Sequence, residues 1–182
     1  MGRHSADDGV FGRIDLTRSR VAPSFALARR RPTIRLGVNM AIEPAYRVWS
    51  KASGGGRDGE VVSESGRIDL ELRPPAALGG SGEGSNPEEL FSAGYSACFL
   101  GALRATSKQA GSPVPDDSTV TVTVGIGKDP ADGGFGLVVE IETYIPGVDE
   151  AKAKELADAA HAFCPYSKAT RGNIDHTLTV RV

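Results

Sequence analysis

The sequence predicts an α+β fold, and three observations support this prediction. Short segments in which apolar and polar residues alternate are typical of strands. Two longer segments carry the start signals of helices, and the first of them is almost entirely small or apolar. These segments follow one another in the order strands, helix, strands, helix, strand, and that order is typical of α+β domains.

The chain divides into a domain and a tail. Its 182 residues suffice for one domain with additional sequence, and we expect the domain to span residues 40–182. Residues 1–39 are rich in arginine, contain no lysine or glutamate, and show little periodicity. Such a composition is found in transit peptides. Its aspartates and scarce serines favour a disordered N-terminal extension, or upstream sequence before a true start at Met40.

Three strands are predicted before the first helix. Residues 46–51 alternate in polarity, and a glycine-rich turn at 54–59 follows them. Residues 60–63 and 68–72 are predicted to pair as antiparallel strands across a short turn. A glycine-rich loop at 79–85 then leads towards the helix.

Both helices are predicted from their first residues. Asn86 is a preferred N-cap, Pro87 suits the first helical position, and two glutamates follow in the first turn. Residues 90–105 are small or apolar on nearly every side, which predicts a buried central helix. The second helix is predicted over 149–163, with an aspartate as its N-cap and Pro165 ending it.

The remaining strands flank the second helix in the sequence. Residues 119–124 and 136–144 alternate strongly and predict two strands, with a turn at 132–134 between them. Residues 177–182 predict the last strand of the domain.

The amino-acid composition argues against several classes of function. A net charge of -2, a pI near 5.9 and 40% hydrophobic residues are ordinary for a globular protein, and we expect no nucleic-acid or membrane partner. No apolar stretch is long enough to predict a transmembrane helix, and the N-terminus lacks a signal-peptide pattern. Two cysteines are too few for a disulfide-stabilised secreted scaffold, so we expect a cytoplasmic protein.

The two cysteines are the candidate reactive groups. Cys98 falls inside the apolar helix and Cys164 at the end of the second one, where either could be inert core. A cation such as Arg57 in the glycine-rich turn could stabilise a thiolate. Two cysteines on different helices could also act as attacking and resolving thiols, since a disulfide protects the first from over-oxidation.

Three other hypotheses use the same residues. Cys98, His161 and Cys164 could supply three zinc ligands, although no fourth is evident. Cys98 with His176 could form the nucleophile and base of a hydrolase. A non-enzymatic lipid-binding module would need neither cysteine to react.

Two long motifs resemble those of a known family. Residues 86–99 (NPEELFSAGYSACF) and 161–173 (HAFCPYSKATRGN) strongly resemble the organic hydroperoxide resistance proteins of the osmotically induced protein C superfamily. Residues 55–59 (GGRDG) match the arginine loop of that family. The Cys-Pro-Tyr-Ser segment at 164–167 indicates this branch rather than the osmotic-stress peroxidases, which remain an alternative. The resemblance covers about residues 46–182.

The resemblance implies a fold, an activity and partners. It implies antiparallel sheets packed around two central helices, in an intertwined homodimer with sites at its interface. The activity would be a thiol-dependent reduction of alkyl and fatty-acid hydroperoxides, without haem or metal and with a lipoylated protein as reductant. Cys98 would be the peroxidatic thiolate and Cys164 the resolving thiol. Arg57 would stabilise the thiolate, and Glu88 would hold Arg57 through a charge-assisted pair.

The spacing of Glu88 and Cys98 sets a geometric condition. Ten residues correspond to roughly 15 Å along a continuous helix. An arginine that contacts both side chains therefore requires either a bent chain or a Glu88 from another subunit.

The residues around Cys98 predict a preference among peroxides. Four aromatic residues could line an apolar approach to its thiol, although each alone is more typical of plain core. Burial of an alkyl tail contributes about 25 cal/mol per Å², so bulky organic peroxides should react better than hydrogen peroxide. The four residues are Phe91, Tyr95, Phe99 and Phe163.

Overall fold

The structure, a computed structural model, describes residues 42–182, and its secondary-structure elements fall within Ala45–Val182. The predicted α+β fold is confirmed, with two sheets and a set of helices in this part of the chain. The predicted extension over 1–39 lies outside the described residues and stays a prediction.

The first sheet is an antiparallel meander. Its strands are β1 (Ser50–Gly54), β2 (Gly59–Ser63) and β3 (Asp69–Leu72), with β2 in the centre. The predicted pairing of β2 with β3 is confirmed. The first strand begins later than the predicted range 46–51, because it is the segment directly before the glycine-rich turn that folds back along β2.

The second sheet is mixed, and two helices connect its last two strands. Its strands are β4 (Thr119–Lys128), β5 (Phe135–Tyr144) and β6 (Asp175–Arg181). Strands β4 and β5 pair antiparallel, whereas β5 and β6 pair in parallel. Parallel pairing requires a crossover connection, which helices α2 (Glu150–Phe163) and α3 (Pro165–Thr170) provide here. Helix α1 (Pro87–Gln109) precedes β4, and a 3₁₀ turn, Ala76–Leu78, precedes α1.

The predicted helix starts are confirmed by their caps. The Asn86 side chain accepts a hydrogen bond from the Glu89 amide at 2.9 Å, and Asp149 accepts one from the Lys152 amide at 2.9 Å. Each cap satisfies an amide that the first turn of a helix leaves unpaired. Pro165, predicted to end the second helix, also opens α3, because proline suits the first helical position.

The core lies between α1, α2 and the second sheet. Phe99 and Leu103 of α1, Leu156 of α2 and Ile141 of β5 are almost completely buried. Each such side chain stabilises the fold by about 1.5–3 kcal/mol. Small residues of α2, such as Ala160, allow α1 to approach closely. Among residues 42–182, no helix is both long and apolar enough to cross a membrane.

One face of α1 is not covered. Ala93, Ala97 and Gly101 are spaced by one helical turn and are exposed in the described chain. The prediction that this helix is buried on nearly every side is therefore wrong for a single chain. Its residues are apolar all round, but the fold covers only part of the helix surface.

The first sheet is also uncovered. Every residue of β1 is exposed, and neighbouring Val48 and Trp49 are exposed by 56% and 51%. Within residues 42–182, no strand of this sheet packs extensively against a helix or against the second sheet. A sheet becomes stable when one of its faces packs on another layer, so this one lacks a covering layer in the described chain.

Candidate active site

The two cysteines meet in the interior of the fold. Cys98 lies midway along α1, and Cys164 lies between α2 and α3. The Cys164 thiol donates to the Cys98 sulfur, and their Sγ atoms are 3.6 Å apart. Both are free thiols; Cys164 is completely buried, whereas Cys98 keeps some exposed surface. A disulfide needs an S–S distance of about 2.05 Å, so a shift of about 1.5 Å would join them.

Local backbone geometry places Cys164 against Cys98. The Cys164 amide donates a hydrogen bond to the Ala160 carbonyl at the end of α2. The Cys164 carbonyl accepts a hydrogen bond from the Lys168 amide in α3. The chain turns at this residue because Pro165 cannot donate the next helical hydrogen bond. The turn directs the Tyr166 amide towards Cys98, whose sulfur accepts its hydrogen bond.

The environment of Cys98 in one chain favours the neutral thiol. Burial raises the pKa of Cys98 above the ordinary thiol value. The hydrogen bond from the Tyr166 amide lowers this pKa, but the neighbouring Cys164 thiol raises it further. Within residues 42–182, no cation is among the groups that shift this pKa, and a nucleophilic thiolate at neutral pH needs one.

Arg57 and Glu88 form a second pair. The Arg57 Nη2 atom donates to Glu88 Oε2 at 2.5 Å, which joins the turn after β1 to the first turn of α1. The turn requires glycine: a Cβ on Gly55 would lie 2.6 Å from the Asp58 carbonyl oxygen, and Gly56 has a φ of 70°. These constraints hold the arginine at the start of α1.

The four predicted site residues thus form two separate pairs in the described chain. Helix α1 is continuous from Pro87 to Gln109, so Glu88 and Cys98 are separated by about 15 Å along it. A bent chain, one of the two arrangements expected from the spacing, does not occur. Arg57 is likewise absent from the groups that shift the pKa of Cys98. Their catalytic roles stay predictions.

The aromatic residues near Cys98 differ from the expected set. Tyr95 and Phe99 are completely buried, so the prediction that they line an approach to the thiol is wrong for both. Phe91 is partly buried, and Phe163 is 55% exposed. Tyr166 is not among the predicted site residues, although it lies in the Cys-Pro-Tyr-Ser motif at 164–167.

Tyr166 packs beside the cysteines. Its ring stacks on Phe91 with centroids 6.0 Å apart. It also passes over Gly94, where an added Cβ would lie 3.0 Å from the Tyr166 hydroxyl oxygen. The glycine of α1 therefore makes room for the ring next to the turn of helix that carries Cys98.

His161 and His176 do not form the sites that the two alternative hypotheses need. His176 Nε2 is 2.9 Å from the Thr170 hydroxyl oxygen, and within the described residues no hydrogen bond joins His176 to Cys98, as the hydrolase hypothesis requires. Burial lowers the pKa of His161, and the nearby His176 lowers it further. Among residues 42–182, no group of three or more histidine, cysteine or acidic side chains is arranged to hold a metal ion.

Comparison with known proteins identifies the class. A family model described as OsmC-like protein matches residues 80–179, which is more than half of the chain. This span holds both cysteines and all helices from α1 onwards. The fold is therefore that of an OsmC-like protein.

Individual relatives narrow the class. The organic hydroperoxide resistance protein of Xanthomonas axonopodis pv. citri (strain 306) is 50% identical over 127 residues, covering 69% of this chain and 88% of the relative. A crystal structure of such a protein from Elizabethkingia anophelis shares 47% identity with a TM-score of 0.71, covering 77% and 99% of the two chains. That of OhrB from Bacillus subtilis shares 42% identity with a TM-score of 0.69, covering 76% and 100%. The chain belongs to the organic hydroperoxide resistance proteins of the OsmC-like family, as its motifs predicted.

Proposed function

We propose that the protein is a cysteine-based peroxidase that reduces organic hydroperoxides to alcohols. The observation that carries this proposal is the 3.6 Å separation of the Cys98 and Cys164 sulfur atoms. Its relatives, named for organic hydroperoxide resistance, support the substrate class. The chemistry needs neither haem nor metal, because the cysteine pair itself gains and loses the electrons.

The proposed reaction has two steps, and both take place at the Cys98–Cys164 pair. The Cys98 thiolate attacks the outer peroxide oxygen, the O–O bond breaks, and the departing alkoxide takes a proton to become an alcohol. Cys98 is then a sulfenic acid. The Cys164 thiol attacks its sulfur, the S–S bond forms, the S–O bond breaks, and water leaves. Cys98 is the attacker because it has exposed surface, whereas Cys164 is completely buried.

The thiolate requires a cation, and we propose that Arg57 of the partner subunit in a homodimer provides it. In one chain the pKa of Cys98 is raised and Arg57 is held at Glu88, away from the cysteine. The exposed face of α1 and the uncovered first sheet give a second subunit surfaces to cover. Glu88 would then hold the arginine for the neighbouring site.

Bulky organic peroxides are the proposed substrates, and a lipoylated protein is the proposed reductant. Phe91, Tyr166 and Phe163 provide aromatic surface close to the cysteines. Burial of an alkyl tail against such surface contributes about 25 cal/mol per Å², a gain that hydrogen peroxide does not have. A dithiol reductant returns the disulfide to two thiols by exchange.

Thiol counting tests the proposal. Reduced full-length protein is mixed with one equivalent of cumene hydroperoxide, and free thiols are titrated. We expect two thiols to be lost and one cumyl alcohol to be formed per chain, with no loss of the remaining Cys164 thiol in Cys98→Ser. An unchanged thiol count would favour the lipid-binding alternative and refute the peroxidase.

A further inference from the structure

A buried hydrogen-bonded network lies beside the cysteine pair. The Tyr95 hydroxyl donates to Ser167 Oγ at 2.9 Å and lies 3.5 Å from Thr170 Oγ1. Thr170 Oγ1 is in turn 2.9 Å from His176 Nε2. The network joins α1, α3 and β6, and its three hydroxyl-bearing residues are buried.

Thr170 also bonds within its own helix. Its hydroxyl donates to the Tyr166 carbonyl at 2.8 Å and lies 3.3 Å from the Ser167 carbonyl oxygen. Each hydroxyl in the network has a partner, and removing one leaves a buried polar atom unpaired.

The network holds the segment that carries the sulfur contacts. Helix α3 has six residues, too few to be stable without tertiary contacts. It begins directly after Cys164, and its Tyr166 amide bonds to the Cys98 sulfur. Tyr95 lies one turn before Cys98 on α1, so its bond to Ser167 ties α3 to the helix of the attacking cysteine.

We infer that Tyr95 and Thr170 are positioning residues for the disulfide-forming step. This inference rests on the proposed peroxidase function. After the first oxidation, the Cys98 sulfenic acid has two fates: Cys164 attacks it and water leaves, or a second peroxide oxidises it to sulfinic acid and releases a second alcohol. The first fate depends on how closely α3 holds Cys164, whereas the first oxidation does not.

Paired substitutions at Thr170 separate positioning from general stability. Thr170→Val removes the hydroxyl at nearly constant volume, and Thr170→Ser retains it. Thr143→Val is the matched control, since Thr143 is also buried and donates to the Thr179 carbonyl in the second sheet, outside the network. The full-length proteins are reduced, treated with excess cumene hydroperoxide, and analysed by intact mass.

We expect the sulfinic share to rise about fivefold in Thr170→Val, the rate factor that one lost hydrogen bond allows. Thr170→Ser should restore the wild-type share, and Thr143→Val should keep it. The rate of the first oxidation should change less than about twofold. A wild-type share in Thr170→Val would overturn the inference, whereas a wild-type protein that forms no disulfide would instead refute the proposed function.

Tyr95→Phe provides a second variant should Thr170→Val not fold. It removes the bond to Ser167 and keeps the ring, and we expect the same rise in the sulfinic share. A wild-type sulfinic share in this variant would also overturn the inference.

Discussion

Replacement of Glu88 by glutamine tests whether its pair with Arg57 serves the reaction. The bond of 2.5 Å is charge-assisted, and such bonds contribute about 1.5–3 kcal/mol. The Glu88 side chain is 13% exposed, but that of Arg57 is 43% exposed. Solvent screening at the arginine reduces the contribution to about 1 kcal/mol. That free energy corresponds to about a fivefold lower occupancy of the held arginine, and therefore to about a fivefold slower first oxidation.

The assay is the second-order rate of thiol loss in reduced protein at several cumene hydroperoxide concentrations. Glu89→Gln is the matched control, because Glu89 is the next residue of α1, is exposed, and also carries a negative charge in its first turn. Either substitution removes an interaction with the helix dipole of about 0.3–1 kcal/mol. Glu88→Gln also loses the pair with Arg57, so it should be the less stable of the two by about 1 kcal/mol in urea titrations, and it alone should react more slowly.

The rates of these two variants decide the question. A wild-type rate in Glu88→Gln would show that the Arg57–Glu88 pair does not support the attack. An equal loss in Glu88→Gln and Glu89→Gln would assign the effect to the charge at the start of α1 rather than to the arginine.

Three further predictions concern stability. Asn86→Ala removes the cap of α1 and should lower the free energy of unfolding by about 1 kcal/mol in urea titrations, with Ser81→Ala, at an exposed loop residue, as control. Leu156→Ala opens a cavity between α2 and the core and should cost about 2–5 kcal/mol; a loss under about 1 kcal/mol would contradict the packing described. Because folding lowers the pKa of His161 from 6.5, the unfolded chain binds the proton first, and stability should fall as pH drops through and below that value. His161→Gln should flatten this dependence between about pH 7 and 5, and an unchanged slope in urea titrations would refute the assignment.

Local signals in the sequence predicted the element starts well. Asn86 and Asp149 cap amides that lie three residues further along the chain, so each helix start can be predicted from a short stretch of sequence. The pairing of β2 and β3 across a short turn is equally local. In contrast, Pro165 ends one helix and opens the next, and the sequence pattern indicates only the first of these effects.

Long-range geometry was less accessible from the residues alone. The parallel pairing of β5 and β6 depends on how the α2–α3 crossover packs, which no pattern in either strand encodes. The approach of Cys98 to Cys164 spans 66 residues of sequence and was expected from family resemblance. The exposed face of α1 was also missed, because an apolar sequence does not reveal whether its own chain covers it.

In the proposed reaction, the unequal burial of the two sulfurs gives regeneration a direction. Once a disulfide forms, an incoming dithiol would meet surface at Cys98, while Cys164 is enclosed between α2 and α3. Exchange would then begin at the Cys98 sulfur, with Cys164 as the leaving group. The transient mixed disulfide would be held on α1, and the residue that resolved the sulfenic acid would be the first of the pair to become a thiol again.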